Sequence, residues 1–326
     1  MALLAVDPRA RGVNEFDLIR RYFERAPKNA LVGVGDDCAL LRPDAGLELA
    51  VTTDMLVEGR HFLPNAEPRA LGHKALAVNL SDLAAMGAAP KWALLAIGLP
   101  AADEAWLDAF ASGFFALASR YGVDLLGGDT TRAPQVTITI TAMGEVPSSV
   151  ALYRAGARPG DDIWVSGELG GAALALAHPE IAAQFPEIAM RLHQPEPRVE
   201  LGERLRGMAN AAIDVSDGLA GDLGHILERS RVGAVVEYAR IPRDAAFKKL
   251  KKPDLERDCV LSGGDDYELI FTAPQARRAD LEALSRELAL PLTRIGAIQA
   301  GEPHLTVLDA KGKAMPFKPG FDHFNK

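Results

Sequence analysis

The sequence predicts a mixed α/β (α+β) protein of two domains, in which helices pack on mixed sheets. The chain has 326 residues, of which 48% are hydrophobic and 25% charged, as is typical of a globular protein large enough for two cores. Strand and helix patterns alternate along it. A stretch rich in Gly, Arg and Pro at residues 151–167 separates two halves of similar size. We therefore expect an N-terminal domain over residues 1–150 and a C-terminal domain over residues 151–326.

Hydrophobic periodicity predicts the elements of the first half. Alternating apolar and polar residues indicate half-buried strands, and apolar residues spaced three and four apart indicate an amphipathic helix. The predicted elements are strands over residues 47–54 and 135–142, helices over residues 68–87 and 104–120, and a short strand that stops at Gly127 and Gly128.

The second half repeats this style. A strand is expected over residues 163–166, followed by a glycine turn and a helix from Gly171. Another strand ends in the sequence DVSDG, and a further helix follows it. The last predicted elements are strands near residues 234–238 and 267–272, followed by a C-terminal tail.

Charge and composition exclude several classes of function. Lys and Arg total 36 against 44 Asp and Glu, so the net charge of −8 gives no general attraction to nucleic acid or to an anionic membrane surface. No apolar run approaches the roughly 20 residues that span a bilayer. The N-terminal sequence lacks a secretory pattern, and Cys38 and Cys259 are isolated. We expect a cytoplasmic protein that binds neither nucleic acid nor membrane.

Six aspartates lie within two residues of a Gly, Ser or Thr, most of them where a predicted element begins or ends. Small neighbours allow close backbone approach, and carboxylate and hydroxyl oxygens are the hard ligands that magnesium prefers. The spacing of a calcium-binding EF-hand loop is absent. Together these residues predict a shared site for several divalent cations. They are Asp37, Asp54, Asp82, Asp129, Asp214 and Asp217.

Each aspartate alone has a structural explanation. Asp217 could cap the helix that follows it, and Asp129 could be a turn residue. The sequence does not decide which of Asp36 and Asp37 is the solvated member of the pair. Asp82 is the most informative, because it lies on the apolar stripe of its helix and a buried carboxylate requires a cation, an ion pair or a proton. Lys74 on the same helix is the ion-pair alternative.

The phosphate-binding signals are weak by themselves. Neither GxxxxGK[ST] nor GxGxxG occurs, and SGELGG at residues 166–171 is only a glycine turn that opens a helix. Arg132 and Arg154 are candidates for binding phosphate oxygens directly. Either could equally be an ordinary surface arginine.

Seven motifs between residues 33 and 324 resemble, in this order, those of the thiamine-monophosphate kinase family. They are GVGDDCALL, TTDMLVEGRHF, KALAVNLSDLAAMGAAP, LLGGDTTR, IDVSDGLAGDLGHI, LSGGDDYEL and GFDHF. The family belongs to the superfamily of aminoimidazole ribonucleotide synthetase. The resemblance implies a two-domain fold, a homodimer paired through N-terminal strands, and ATP binding without a Walker loop. It also implies transfer of the γ-phosphoryl group of ATP to thiamine monophosphate, giving thiamine diphosphate.

The resemblance also implies roles for individual residues. No general base is needed, because the acceptor is already an anionic phosphate oxygen, and several Mg²⁺ ions would neutralise and align the two substrates for in-line transfer. The magnesium ligands implied are Asp37, Thr52, Thr53, Asp54, Asp82, Asp129, Asp214 and Asp217. The ATP contacts implied are Gly128, Asp129, Arg154 and Ser216. The thiamine-phosphate contacts implied are His61, Asp265 and Phe321.

One position departs from the family pattern. Asp265 stands where the family usually has glutamate, so the charge is kept but the side chain is one methylene shorter.

Three alternatives within the superfamily and one outside it remain open at this point. A hydrogenase-maturation enzyme would end in a functional cysteine, whereas this chain ends in FDHFNK. A selenophosphate synthetase would have a reactive cysteine near its N-terminal glycines, whereas Cys38 lies in the apolar run CALL. A purine-pathway synthetase is the third. The alternative from another class is a non-catalytic sensor that binds nucleotide or metal.

Overall fold

The protein has a mixed α/β fold, as the sequence predicts. Its structure is a computed structural model that describes residues 15–34, 38–318 and 320. The strands are β1 (Leu47–Val57), β2 (Ala89–Leu99), β3 (Asp124–Arg132), β4 (Thr137–Pro147), β5 (Asp162–Ser166), β6 (Ala211–Asp214), β7 (Gly233–Glu237), β8 (Leu269–Ala273), β9 (Leu292–Gln299) and β10 (His304–Leu308).

Helices connect most of these strands. The first helix continues as a π-helical turn over Ile19–Phe23, and two short 3₁₀ turns lie at Tyr238–Arg240 and Gln275–Arg277. The helices are α1 (Glu15–Leu18), α2 (Pro68–Ala85), α3 (Glu104–Tyr121), α4 (Gly171–Ala177), α5 (Pro179–Ala182), α6 (Pro186–His193), α7 (Val199–Leu205), α8 (Leu219–Ser230), α9 (Ala246–Leu250), α10 (Pro253–Ser262) and α11 (Arg278–Glu287).

The strands form two sheets. The four-stranded sheet has the order β1-β4-β2-β3, with β2 and β3 parallel. The six-stranded sheet has the order β10-β7-β9-β5-β8-β6, in which β10 and β7 are parallel and the other neighbours are antiparallel. Both sheets place apolar side chains in the core, including Ile138 and Ile140 of β4 and Ile163 and Val165 of β5.

The described chain divides into two compact units. The first contains the residues up to Pro43 together with Thr53–Leu76 and Lys91–Met143. The second contains Asp44–Thr52, Ala77–Pro90 and the chain from residue 144 onward. The domain boundary near residue 150 stays a prediction.

Local sequence explains both ends of α3. The Asp103 carboxylate accepts the backbone N–H groups of Ala105 and Trp106 and so caps the start of α3. Gly122 ends α3 in the left-handed conformation (φ 68°). Between these caps α3 buries one face, because its apolar residues recur at helical spacing. The large side chains on that face are Leu107, Phe110, Phe114 and Leu117.

Two sequence predictions about strands are wrong, and one strand is not predicted. The expected strand does not stop at Gly127 and Gly128, because β3 continues through both glycines to Arg132 and pairs with β2 along its length. The strand β2 was not expected, since its continuous apolar run lacks a clear period. The expected C-terminal tail instead contains α11, β9 and β10.

Candidate active site

In the second unit, the structure brings together three of the predicted magnesium ligands, Thr52, Asp82 and Asp214. The Thr52 hydroxyl donates a hydrogen bond to the Asp82 carboxylate. The Ser81 hydroxyl donates to Asp214 Oδ2 at 2.8 Å. Because Ser81 and Asp82 are adjacent in α2, both hydrogen bonds are made at one short stretch of that helix. This arrangement presents a group of carboxylate and hydroxyl oxygens.

The surroundings of Asp82 destabilise the charged form of its carboxylate. Burial raises the pKa of Asp82 above its usual range, and the Thr52 hydrogen bond and the positive charge of Arg154 act in the opposite direction. Arg154 therefore lies close enough to Asp82 to act on its charge. An exposed arginine beside a carboxylate cluster can bind an anionic ligand that reaches the same place.

The DVSDG turn that follows β6 contains Asp214, Ser216 and Asp217. The Asp222 carboxylate, on the first turn of α8, accepts the backbone N–H groups of Ser216 and Asp217, both at 3.1 Å. Burial raises the pKa of Asp222 to about 7. The turn is therefore held by a side chain from the helix that it precedes.

The segment that contains Asp265 is hydrogen-bonded to this turn. The backbone N–H of Asp265 donates to the Ser216 carbonyl at 2.9 Å, and that of Tyr267 donates to the Val215 carbonyl at 2.8 Å. The Tyr267 hydroxyl donates to Asp265 Oδ1 at 2.9 Å. One predicted substrate residue, Asp265, thus lies beside one predicted ATP contact, Ser216.

The other predicted residues that the structure describes belong to the first unit. The Thr53 hydroxyl donates to the Ile140 carbonyl of β4 at 3.1 Å, and Asp54 is the next residue of β1. The Val57 N–H donates to His61 Nδ1 at 3.0 Å, so the neutral imidazole has its proton on Nε2. Gly128 and Asp129 lie within β3, which corrects the prediction that Asp129 follows the end of a strand.

A cavity of about 470 Å³ lies beside the carboxyl end of β3 in the first unit. Its walls are mostly apolar, and the final residues of β3 add two hydroxyls and a guanidinium. The volume is in the range of small-molecule sites. The lining residues are Leu18, Leu99, Pro100, Ala101, Ala102, Thr130, Thr131 and Arg132.

Two predicted site residues, Asp37 and Phe321, lie outside the described residues. Within residues 15–34, 38–318 and 320, no group of three or more His, Cys, Asp or Glu side chains could hold a metal ion by itself. Over the same part of the chain, no helix has both the length and the apolar character needed to cross a membrane. The assignment of the metal ligands stays a prediction.

Sequence reasoning missed three residues of this region, Ser81, Asp222 and Tyr267. Ser81 precedes Asp82 in LSDL, Asp222 follows Asp217 by five residues, and Tyr267 alternates with Asp265 in GGDDYEL. Proximity in sequence to a candidate aspartate was the available signal. It does not distinguish a hydrogen-bond partner from any other polar neighbour.

Comparison with known proteins gives the family. The N-terminal and C-terminal domains of AIR synthase related protein match residues 35–146 and 158–307. Thiamine-monophosphate kinase of Escherichia coli (strain K12) is 44% identical over 320 residues, which cover 95% of this chain and 98% of that protein. These matches confirm the family resemblance of the motifs.

Solved structures agree with this result. The crystal structure of thiamine-monophosphate kinase from Stenotrophomonas maltophilia K279a has a TM-score of 0.83 and 48% identity, over 94% of this chain and 98% of that chain. The structure of AaThiL complexed with AMPPCP and TMP has a TM-score of 0.75 and 32% identity, over 89% of this chain and 92% of that chain. From its sequence, its fold and these relatives, this chain belongs to the thiamine-monophosphate kinase family, among the AIR synthase related proteins.

Proposed function

We propose that this chain transfers the γ-phosphoryl group of ATP to the phosphate of thiamine monophosphate, giving thiamine diphosphate and ADP. The observation on which this mainly rests is the likeness, at 32% identity over most of both chains, to AaThiL complexed with AMPPCP and TMP. The geometry of the second unit supports it. The Arg154 guanidinium, whose charge acts on Asp82, suits phosphate oxygens, and the carboxylates suit a cation that would accompany them.

We propose that the carboxylate and hydroxyl groups bind magnesium. The donors are all oxygen atoms, and burial raises the pKa of Asp82, so a cation beside it would offset the cost of its charge. Mg²⁺ commonly takes one or two carboxylates together with waters and substrate phosphates, so a larger carboxylate group is not required. Bound magnesium would neutralise phosphate charge. The ligand set proposed is Asp37, Thr52, Thr53, Asp54, Asp82, Asp129, Asp214 and Asp217.

In this proposal the protein positions the substrates and removes no proton. An anionic phosphate oxygen needs no activation, and the main barrier is the repulsion between two polyanions. Arg154, Ser216, Gly128 and Asp129 would bind ATP.

Three residues would bind thiamine monophosphate. His61 can donate a hydrogen bond from Nε2 to the phosphate, because its Nδ1 already accepts the Val57 N–H. The Asp265 carboxylate would face the cationic thiamine portion, and Phe321 would contact its rings.

We also propose that the protein is a cytoplasmic homodimer. The strand β1 lies at one end of the four-stranded sheet and exposes Leu49, Val51 and Met55 on one face. An edge strand with exposed apolar side chains is usually covered in a stable protein, and a second copy would cover it. A cytoplasmic location is supported by Cys38 and Cys259, which are both free thiols.

A coupled assay of ADP release separates this function from the alternatives. We expect ADP to form only when thiamine monophosphate is present, and thiamine diphosphate to appear in equal amount. A nucleotide or metal sensor would bind ATP without this turnover. Another enzyme of the superfamily would release ADP with a different acceptor and none with thiamine monophosphate.

The role of Asp82 can be tested by Asp82→Asn. The amide keeps the shape and can still accept the Thr52 hydrogen bond, but it lacks the charge that attracts a cation. We expect kcat/KM to fall by about 100-fold or more, which corresponds to roughly 3 kcal/mol, while the melting temperature stays level or rises because a half-buried charge has been removed. Asp280→Asn on α11, an exposed aspartate, is the control. Near-normal turnover of Asp82→Asn at low magnesium would exclude the shared site.

A further inference from the structure

The segment from Gly264 to Leu269 has an unusual backbone. Asp265 (φ 68°) and Tyr267 (φ 51°) are both in the left-handed region, which residues with a Cβ atom rarely adopt. Their backbone N–H groups donate to the carbonyls of Ser216 and Val215. These hydrogen bonds hold the segment against the turn that is proposed to bind ATP. Strained residues persist where the surrounding structure fixes them, and such positions cluster at functional sites.

The side chains of this segment have different partners. Tyr267 is buried, with 8% of its surface exposed, and its hydroxyl donates to Asp265 Oδ1 at 2.9 Å. The carboxylate of Asp266, which lies between them, instead accepts the Gly170 N–H at 2.9 Å. The Asp266 carboxylate therefore contacts the backbone just before α4, whereas the adjacent Asp265 carboxylate is oriented by the Tyr267 side chain.

We infer that Tyr267 is a positioning residue for substrate recognition, because its hydroxyl fixes the Asp265 carboxylate in the orientation that meets the cationic thiamine portion of the substrate. This inference rests on the proposed function, since it assigns Asp265 to the thiamine-monophosphate site. Tyr267 need not touch the substrate itself.

The chemistry of this hydrogen bond suits such a role. A phenol is a neutral donor, so it orients the carboxylate without cancelling its negative charge, as an arginine would. A carboxylate has about four acceptor sites, so it can accept the tyrosine hydroxyl and an N–H of the substrate's aminopyrimidine together, while its charge attracts the thiazolium. Asp265 has only two side-chain torsions, and the bond from Tyr267 restricts both before substrate binds. Such preorganisation lowers the entropy lost on binding.

The test is a double-mutant cycle with steady-state kinetics. Wild type, Tyr267→Phe, Asp265→Ala and the double variant are assayed with thiamine monophosphate and ATP varied in turn. Tyr267→Phe keeps the buried ring and the backbone N–H and removes one hydroxyl. We expect its KM for thiamine monophosphate to rise about three- to tenfold, as for one lost hydrogen bond, with kcat and the KM for ATP within about twofold. In the Asp265→Ala background the same change has no further effect.

Tyr238→Phe is the matched control. Its hydroxyl lies 3.4 Å from a Glu256 carboxylate oxygen in the same unit, so this substitution removes a longer tyrosine–carboxylate contact outside the proposed site. We expect both KM values to stay at those of wild type.

The possible outcomes are distinguishable. If wild type shows no ADP release that depends on thiamine monophosphate, the proposed function fails and the positioning role fails with it. If wild type turns over but Tyr267→Phe keeps the normal KM for thiamine monophosphate, or if the two single effects multiply in the double variant, only the positioning role is wrong. Loss of folding by the isosteric Tyr267→Phe would make the hydroxyl structural and would also overturn it.

Discussion

Asp162 shows what a buried carboxylate in this protein requires. Its side chain is 1% exposed and accepts hydrogen bonds from Arg278 at 2.5 and 2.8 Å, with Arg294 at 3.4 Å. Burial alone would raise the pKa of Asp162, but the hydrogen bonds and charges of the two arginines outweigh it and hold that pKa below its usual range. Asp82 has the opposite balance, because burial prevails and its pKa is raised. The contrast indicates that Asp162 is satisfied by its own chain, whereas Asp82 would gain from a cation.

The lowered pKa of Asp162 makes stability depend on pH. A carboxylate with a depressed pKa in the folded state contributes stability above its unfolded pKa of about 4, and this contribution is lost as pH falls through the lower folded pKa. We expect Asp162→Asn to reduce the free energy of unfolding at pH 7 by roughly 1–3 kcal/mol, since the arginines left behind are partly exposed and can be hydrated. The difference from wild type should shrink as pH is lowered below about 4 in urea titrations.

A matched control comes from the exposed pair of Arg204 and Glu287. It is also bidentate, at 2.7 and 2.8 Å, but the Glu287 side chain is 57% exposed. We expect Glu287→Gln to change the free energy of unfolding by less than about 0.5 kcal/mol, because exposed ion pairs contribute little. Equal effects of the two substitutions would contradict the explanation by burial.

At single positions, the sequence identifies candidate site residues better than it identifies their hydrogen-bond partners. Asp82 could be selected because a carboxylate on an apolar helix stripe must be compensated. Its neighbour Ser81 could not, since its hydrogen bond to Asp214 joins residues far apart in the chain. Tyr267 was missed for a different reason, because the left-handed backbone that allows its bond to Asp265 has no signature in a non-glycine sequence.

At the scale of elements, caps and periodicity predict the long helices well. A pair of glycines, in contrast, leads to a wrong prediction of where one strand ends. The expected helices over residues 68–87 and 104–120 agree with α2 and α3 to within two residues. For α3, Asp103 and Gly122 mark the two ends. The pair Gly127 and Gly128 suggested the end of a strand, yet β3 continues through it. The structure gives the reason: a Cβ on Gly128 would lie 1.7 Å from the Leu95 carbonyl oxygen of β2. Glycine is needed there for close approach of two parallel strands.

We expect Gly128→Ala to separate β2 and β3 at this point. Gly128 also has a φ of 149°, so the new side chain would meet both a clash with backbone and an unfavourable conformation. The expected loss in free energy of unfolding is roughly 2–5 kcal/mol.

Gly122→Ala is the control, since that glycine has a positive φ but nothing within 4 Å of the added Cβ. This substitution should lower the free energy of unfolding by about 1 kcal/mol. Chemical denaturation of both variants measures the difference, and equal losses would show that close approach is unimportant.

At the scale of the whole molecule, the sequence predicts the fold class but does not indicate which early segments join the second compact unit. Two segments, Asp44–Thr52 and Ala77–Pro90, belong to the second compact unit although they lie early in the sequence. Composition can suggest a linker, as it did near residue 150, but it cannot show that a chain leaves a unit and returns to it. The assignment of a segment to a compact unit depends on contacts between residues that are distant in sequence. Hydrophobic periodicity carries no information about such contacts.

The proposed homodimer is the property of the whole molecule that is simplest to test. Val51, at the exposed face of β1, is 58% exposed, and a lysine there would place a charge in any interface that covers this strand. We expect wild type to have the mass of two 34.8 kDa chains by light scattering after size-exclusion chromatography, and Val51→Lys to have the mass of one at micromolar concentration. Leu176→Lys on α4 is the control, because Leu176 is a comparably exposed apolar residue, at 50%, and should leave the mass unchanged. If Val51→Lys remains a dimer, β1 is not the interface, and if wild type is itself a monomer, the dimer is wrong.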